Sequence, residues 1–481
     1  MLIKNIYTRI GANIIQGGLS IITSIFIVRS MGVEVIGKIA YYYSLVGMLT
    51  LFTDLGVGMT YQKFLTSDAS HKQIVAGFYC LKLCLILIFC LISIIAYHWF
   101  YQSLSLDKQL LLIVFIITPI SLFSQFFSAT LIGKREFYVL SKIEVFGSSL
   151  LFIYNIIVCI FFPNIYLLAL NVAILPLCTI LYGCYYCTGQ NMFPSEFPSR
   201  QTLLRYFRYA YPIAFTSIVG LFTGHFEKIV LGRLIGMKEL GFYRLALGIF
   251  SGFDKVIKPV TGTLFTELSY RINKSAGFIQ TKFCDLIQLL SFFGAVLGLL
   301  LVFTGKPVVE LFYGLENIRT AVILQCFSLA ILSRLFWRPY RHVLYAIEEH
   351  HPLAYLSVIQ FAMRICGYYL LIPLTINGLL VGAIAFPLTE FILWILPSGI
   401  YNIIALRKRF GNIHIMSTVL KVHLPLGLIV FAAFYLHFSL LFLPLFLILF
   451  LVLEYYLDII TLERWNSLLL PIHQFFNYSK V

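Results

Sequence analysis

Fourteen apolar runs, most of them twenty residues or longer, divide the chain, and few architectures can accommodate them. Twenty residues of helix rise about 30 Å, the thickness of a hydrocarbon core, and inside that layer a helix satisfies all of its own backbone hydrogen bonds. The runs fall near 10–30, 39–62, 73–98, 109–132, 143–162, 166–187, 210–231, 241–268, 283–304, 320–345, 353–374, 379–402, 417–437 and 440–460. The composition agrees. Of 481 residues 60% are hydrophobic and 11% charged, where soluble domains sit near roughly half and a quarter. The expected class is an all-α integral membrane protein with about fourteen transmembrane helices.

The first run follows Lys4 and Arg9 but is too long for a signal-peptide core and lacks a small-residue cleavage site, so it reads as an uncleaved first span. Counted over alternate loops, Lys and Arg number nineteen on one side and seven on the other. The basic excess marks the cytoplasmic face, which puts both termini there. The net charge of +15 is scattered among the spans, without the clustered stripe of a nucleic-acid binder. Ten cysteines lie in or beside apolar runs without histidine partners; even Cys184-Tyr-Tyr-Cys187 reads as two small core hydrophobes. No P-loop, Rossmann glycine pattern or metal-spaced histidine pair occurs, so no cofactor or metal is expected. His350 and His351, beside Glu348 and Glu349, read as a solvated cytoplasmic turn.

Residues 189–209, rich in Pro and Arg, form the longest gap and read as a cytoplasmic linker between a first six-helix lobe, 1–188, and a second, 210–402. Residues 403–481 add a further helix pair. A local repeat supports the division: Arg29-Ser-Met-Gly32 followed by Gly37 recurs as Arg233-Leu-Ile-Gly236 followed by Gly241, offset by 204 residues. Each copy sits just after the first span of its half. Two parallel halves with substrate handled between them are a common transporter plan.

Nine Lys and Arg residues lie in or at the edges of spans, where charge usually faces water or a partner. Arg244, Gly248, Ser251, Lys255, Lys258 and Gly262 fall on one helical face of the eighth span. Lys255 lies about 16 Å along the helix from Arg244, deep in the membrane. Arg334, Arg338 and Arg341 repeat the pattern in the tenth span, and Ser357, Gln360, Arg364 and Tyr368 in the eleventh. Polar faces also mark the first span (Asn13, Gly17, Ser20, Ser24), the second (Gly47, Thr50, Asp54, Gly58, Tyr61) and the seventh (Thr216, Gly220, Thr223, Glu227). The expectation is a cavity lined by Arg244, Lys255, Lys258, Arg334, Arg338 and Arg364, set against structural ion pairing of the same residues. Arg341, Lys82 and Lys421 are expected to snorkel from span ends. Asp54 and Glu227 read either as coupling or gating carboxylates or as static counter-ions. Gly220-x-x-x-Gly224, Gly248-x-x-x-Gly252 and Gly294-x-x-x-Gly298 have the spacing that lets helices approach closely.

The segment Glu227-Lys-Ile-Val-Leu-Gly232-Arg-Leu-Ile-Gly236-Met-Lys-Glu-Leu-Gly241-Phe-Tyr243-Arg-Leu-Ala246 resembles the junction of the seventh and eighth spans in polysaccharide exporters of the Wzx type, and Asp54-Leu-Gly56 resembles the matching acidic-x-glycine of their first half. The similarity runs over roughly the first 400 residues. Glu227 stands where aspartate is commoner, and the final helix pair exceeds the twelve spans of many relatives. The resemblance implies the multidrug, oligosaccharidyl-lipid and polysaccharide (MOP) exporter fold, two six-helix lobes in a V opening alternately to either side of a bacterial inner membrane. It implies a substrate too: an undecaprenyl-pyrophosphate-linked oligosaccharide repeat unit, moved from the cytoplasmic to the periplasmic leaflet for O-antigen or capsule. Membrane lipids, a coupling ion (proton or sodium), a glycan polymerase and a chain-length regulator are the implied partners. Arginine suits such anions by its permanent charge and planar donors.

Three alternatives compete. A cation-coupled multidrug exporter of the same fold would favour acidic lining, against the basic excess in spans eight, ten and eleven. A peptidoglycan lipid-precursor flippase differs little at this level. A membrane glycan polymerase would need catalytic side chains on a sizeable periplasmic loop, and those loops reach only about fifteen residues, so no enzyme is expected.

Overall fold

The computed structural model describes residues 2–252, 284–331, 350–376, 379–393 and 399–405, apart from 68–70, 105, 135, 191–192, 195 and 402–403. Its contacts divide into two compact units, Met1–Gly248 and Ile249–Val481.

In the first unit the order is α1 (Leu2–Met31), α2 (Val33–Leu49), a 3-10 turn (Thr50–Phe52), α3 (Val57–Ser67), α4 (His71–Leu104), α5 (Lys108–Gly133), α6 (Phe137–Phe161), α7 (Ile165–Leu170), α8 (Ile174–Gly189), α9 (Arg200–Leu234) and α10, described from 237. Six of the fourteen expected spans are met here by helices long and apolar enough to cross a membrane, with α7 and α8 together making one of them. The helices start where the sequence supplies caps. Asp107 accepts at Oδ1 from the backbone N–H of Gln109 and Leu110 and opens α5, Asn164 caps α7 through Tyr166 N, and Ser199 caps α9 through Thr202 N. Such caps stabilise a helix by about 1 kcal/mol each.

Side-chain hydrogen bonds tie the bundle at the α4–α5 turn. Tyr166 donates to Asp107 Oδ2 at 2.8 Å, Tyr42 accepts from Asp107 N at 2.7 Å, and Tyr43 donates to the carbonyl of Ala169. Between them α1 and α6 are cemented by Ile27, Val158, Cys159 and Leu168. At the opposite end an aromatic cluster fills the space: Tyr61 stacks on Phe78 with centroids 4.0 Å apart, and Phe126 closes against both Phe78 and Tyr79. Cys184 and Cys187 are free thiols, the latter buried.

Two expectations change here. The second span is not one helix: the chain breaks after Phe52, with Leu55 at φ 42° and Gly56 at φ 73°, before α3 begins at Val57. The apolar run conceals the break because hydropathy reports depth, not backbone conformation. Half of the expected linker is also helical. Arg200–Tyr209 form the first turns of a 35-residue α9, about 52 Å long and so well beyond a hydrocarbon core. The preceding residues are strapped to α4 by Gln73, which donates to Glu196 Oε2 and the Phe197 carbonyl and accepts from Ser199 N.

The second unit contains α11 (Cys284–Tyr313), α12, described over 318–331, α13 (His350–Leu371), a two-residue antiparallel pair (Thr375–Ile376 with Leu379–Leu380) and α14 (Ala385–Leu393). α11 supplies a seventh membrane-crossing helix over Val296–Tyr313. His350 opens α13, and with His351 it lies in the helix rather than in a turn. The expected spans 417–437 and 440–460 lie outside the described residues.

Candidate functional site

At the break in the second span, the ammonium of Lys82 on α4 donates to the Thr53 carbonyl at 2.9 Å and to Asp54 Oδ1 at 3.0 Å. The Lys82 side chain is 1% exposed and that of Asp54 34%. Lys82 therefore does not snorkel. It neutralises the carbonyl end of a helix and a carboxylate together, the pairing that makes a buried ammonium tolerable. Tyr61, expected on the polar face, is fully buried against Phe78 and shares a hydrogen bond with Thr130, because the break rotates α3 away from the face of α2.

The second charged group forms where α9 meets α10. Tyr243 donates to Glu227 Oε2 at 3.2 Å, and Lys228 lies within electrostatic reach of both Glu227 and Arg244. Arg244 is exposed beside the buried Tyr243. One turn along α9, the imidazole of His225 occupies the space left by Gly47 of α2, where any Cβ would collide with the ring. His225 Nδ1 is enclosed without a hydrogen-bond partner among the described residues. Nothing in the sequence marked His225 or the Lys82–Asp54 pair, since both depend on contacts between distant helices.

The small residues of the polar faces behave in two ways. At Gly17 on α1, Gly220 and Gly224 on α9, and Gly248 and Gly252 on α10, an added Cβ would meet nothing within 4 Å. Among the described residues, then, the close helix contact expected of the pair 220/224 is not made. A Cβ added at Gly298 would lie 3.5 Å from the Ser328 carbonyl oxygen of α12, an ordinary packing contact.

In the second unit Arg364 of α13 is ion-paired with Glu390 of α14, at 16% and 14% side-chain exposure. Its charge is balanced within the protein, the ion-pairing alternative of the sequence reading. Glu390 sits one span away in sequence and was not assigned to it. Lys255, Lys258, Arg334 and Arg338, with Arg341 and Lys421, lie outside the described residues. No group of three His, Cys, Asp or Glu side chains converges on a metal-sized site among the described residues.

Comparison with solved structures defines the class. An inward-facing multidrug resistance MATE family transporter of the MOP superfamily matches at a TM-score of 0.67 and 15% identity, over 84% of this chain and 99% of that one. The lipid II flippase MurJ, in an inward closed conformation, matches at 0.68 and 13%, over 93% and 97%. A MOP superfamily transporter from Pyrococcus furiosus, whose binding pocket is described as reversed in polarity, matches at 0.59 and 14%, over 85% and 96%. The fold is that of the MOP exporters, an all-helical membrane architecture. The polysaccharide biosynthesis protein family matches residues 2–265, more than half of the chain, and the chain belongs to that family. No curated protein matches it.

Proposed function

We propose that the chain is a flippase for lipid-linked glycans, moving undecaprenyl-pyrophosphate-linked oligosaccharide repeat units from the cytoplasmic to the periplasmic leaflet of a bacterial inner membrane by alternating access, for O-antigen or capsule assembly. The observation that carries this reading is the exposed Arg244 on α10 in a polysaccharide-biosynthesis chain with the MOP fold. By helical spacing in the sequence Lys255 and Lys258 follow Arg244 at i+11 and i+14. A pyrophosphate crossing a low-dielectric layer needs cations that are not already neutralised, and among the described residues Arg364 is ion-paired with Glu390 whereas Arg244 makes no ion pair. In this reading Lys255, Lys258, Arg334 and Arg338 join Arg244 as headgroup contacts. Arg364 takes part as a pair with Glu390. Asp54 and Glu227 are the coupling or gating carboxylates, with proton or sodium as the ion. Both termini lie in the cytoplasm, and a polymerase and chain-length regulator receive the product.

Complementation tests the proposal. A strain lacking this gene should lose surface glycan and regain it from a plasmid copy, while Arg244→Ala, Arg334→Ala and Arg338→Ala reach the membrane at normal levels without restoring it. Normal export by all three would sink the cationic headgroup site. Rescue of a strain depleted of its peptidoglycan-precursor flippase, without effect on surface glycan, would transfer the activity to that substrate.

A further inference from the structure

The two copies of the sequence repeat grip each other. Gly32 and Gly236 both adopt positive φ, 82° and 121°, and each starts the helix that follows, α2 and α10. Five residues on, Gly37 lies so close to the other copy that a Cβ would overlap the Met237 carbonyl oxygen and crowd Gly241 N. Gly241 in turn lies against the Val33 carbonyl and side chain. Residue 37 faces 237 and residue 241 faces 33, and the offset of 204 carries each member of one contact onto the corresponding member of the other. The contact is thus isologous, as across a two-fold axis within a single chain. Its partners are backbone atoms, which cannot rotate away as a flexible side chain can. Further along the seam, Gly232 makes room for Tyr41.

We propose that this reciprocal glycine clasp is the periplasmic gate, closed here and opened whenever the cavity faces outward. The proposal rests on the alternating-access reading above, because any such cycle must part the first half from the second on the outward side. The clasp joins those halves, 33–37 from one and 237–241 from the other. Its flanking residues Arg29, Lys38, Arg233 and Lys238 belong to the loops poor in Lys and Arg, the periplasmic set. Backbone-to-backbone contact gives a seal that excludes water without a bulky plug. It also explains why two glycines recur at this spacing where no turn demands them: neither Gly37 nor Gly241 has positive φ.

The test is thiol labelling from outside the cell with a membrane-impermeant maleimide, each single-cysteine variant compared with its unsubstituted parent. Val33, 6% exposed in the closed clasp, is replaced by cysteine, and Lys38→Cys, its side chain 45% exposed, serves as the reference in the same helix. With the clasp shut in about nine molecules in ten or more, Val33→Cys should label at least ~10-fold more slowly than Lys38→Cys. Adding Gly37→Ala or Gly241→Ala should raise its labelling toward the Lys38→Cys rate and stop glycan export. Gly189→Ala, where a Cβ meets nothing within 4 Å, should change neither. Equal labelling of Val33→Cys and Lys38→Cys in the unsubstituted protein overturns the closed clasp without any glycine variant having to fold. Labelling unchanged by both alanines, or seen only after permeabilisation, overturns the gate. Should the substrate be other than a glycan, the export readout fails while the labelling pattern stands, so the two proposals fail separately.

Discussion

At the scale of single residues, the charges inside the membrane sort by whether the protein already balances them. Arg364 and Glu390 balance each other, so removing one leaves a buried charge, a loss of roughly 3–5 kcal/mol. Arg364→Ala should therefore lower the amount of protein in the membrane, and Arg364→Ala with Glu390→Ala should restore it, as read by immunoblot. Normal levels of the single variant would show that the pair carries no structural weight. Among the described residues Arg244 makes no ion pair with a carboxylate, and its alanine variant should leave levels unchanged. Asp54 and Glu227 hold different partners, Lys82 and Tyr243. If they couple transport to an ion, Asp54→Asn and Glu227→Gln should weaken ion-driven transport in vesicles while substrate binding persists; unchanged ion dependence in both would leave them as counter-ions. The sequence showed which residues carry charge at depth but not which are paired, because pairing across 26 or 28 positions, as in Arg364–Glu390 and Lys82–Asp54, is set by how helices pack.

The elements were legible wherever hydropathy alone determines them. The first, third, fourth and fifth spans became α1, α4, α5 and α6, with caps at Asp107, Asn164 and Ser199 where the sequence offers side-chain acceptors. The second span was misread because Asp54-Leu55-Gly56 interrupts a run that stays apolar throughout. That turn needs a residue that tolerates positive φ. Gly56→Ala should destabilise the protein by about 1–2 kcal/mol, the strain of an L side chain in the left-handed region, detectable as a lower Tm in detergent; an unchanged Tm would mean that α2 and α3 are not held in this broken geometry. The small-residue spacings were misjudged for a related reason. Spacing tells that a helix face is small, whereas only the fold tells whether a neighbour comes to it, and among the described residues a Cβ added at Gly220 or Gly224 would meet none.

For the whole molecule, the spans and repeat gave a polytopic helical protein of two halves, and the MOP exporter fold and the polysaccharide family were both legible through the resemblance carried by the Glu227 to Ala246 junction. The glycan itself was not, since on the proposed reading a pyrophosphate and its lipid are common to many such substrates and a basic row would recognise only what they share. The nineteen-to-seven loop asymmetry predicts opposite sides for reporter fusions after Arg233 and after Arg409, the former periplasmic; matching sides would refute the fourteen-span topology. The most direct measurement of the central claim uses purified protein in sealed proteoliposomes loaded with a fluorescent undecaprenyl-pyrophosphate oligosaccharide, with an impermeant quencher reading the fraction in the outer leaflet. The account predicts redistribution between leaflets that is faster by orders of magnitude than in protein-free vesicles and is abolished by Arg244→Ala. Redistribution no faster than in empty vesicles, with the protein folded and the appropriate ion gradient in place, would contradict it.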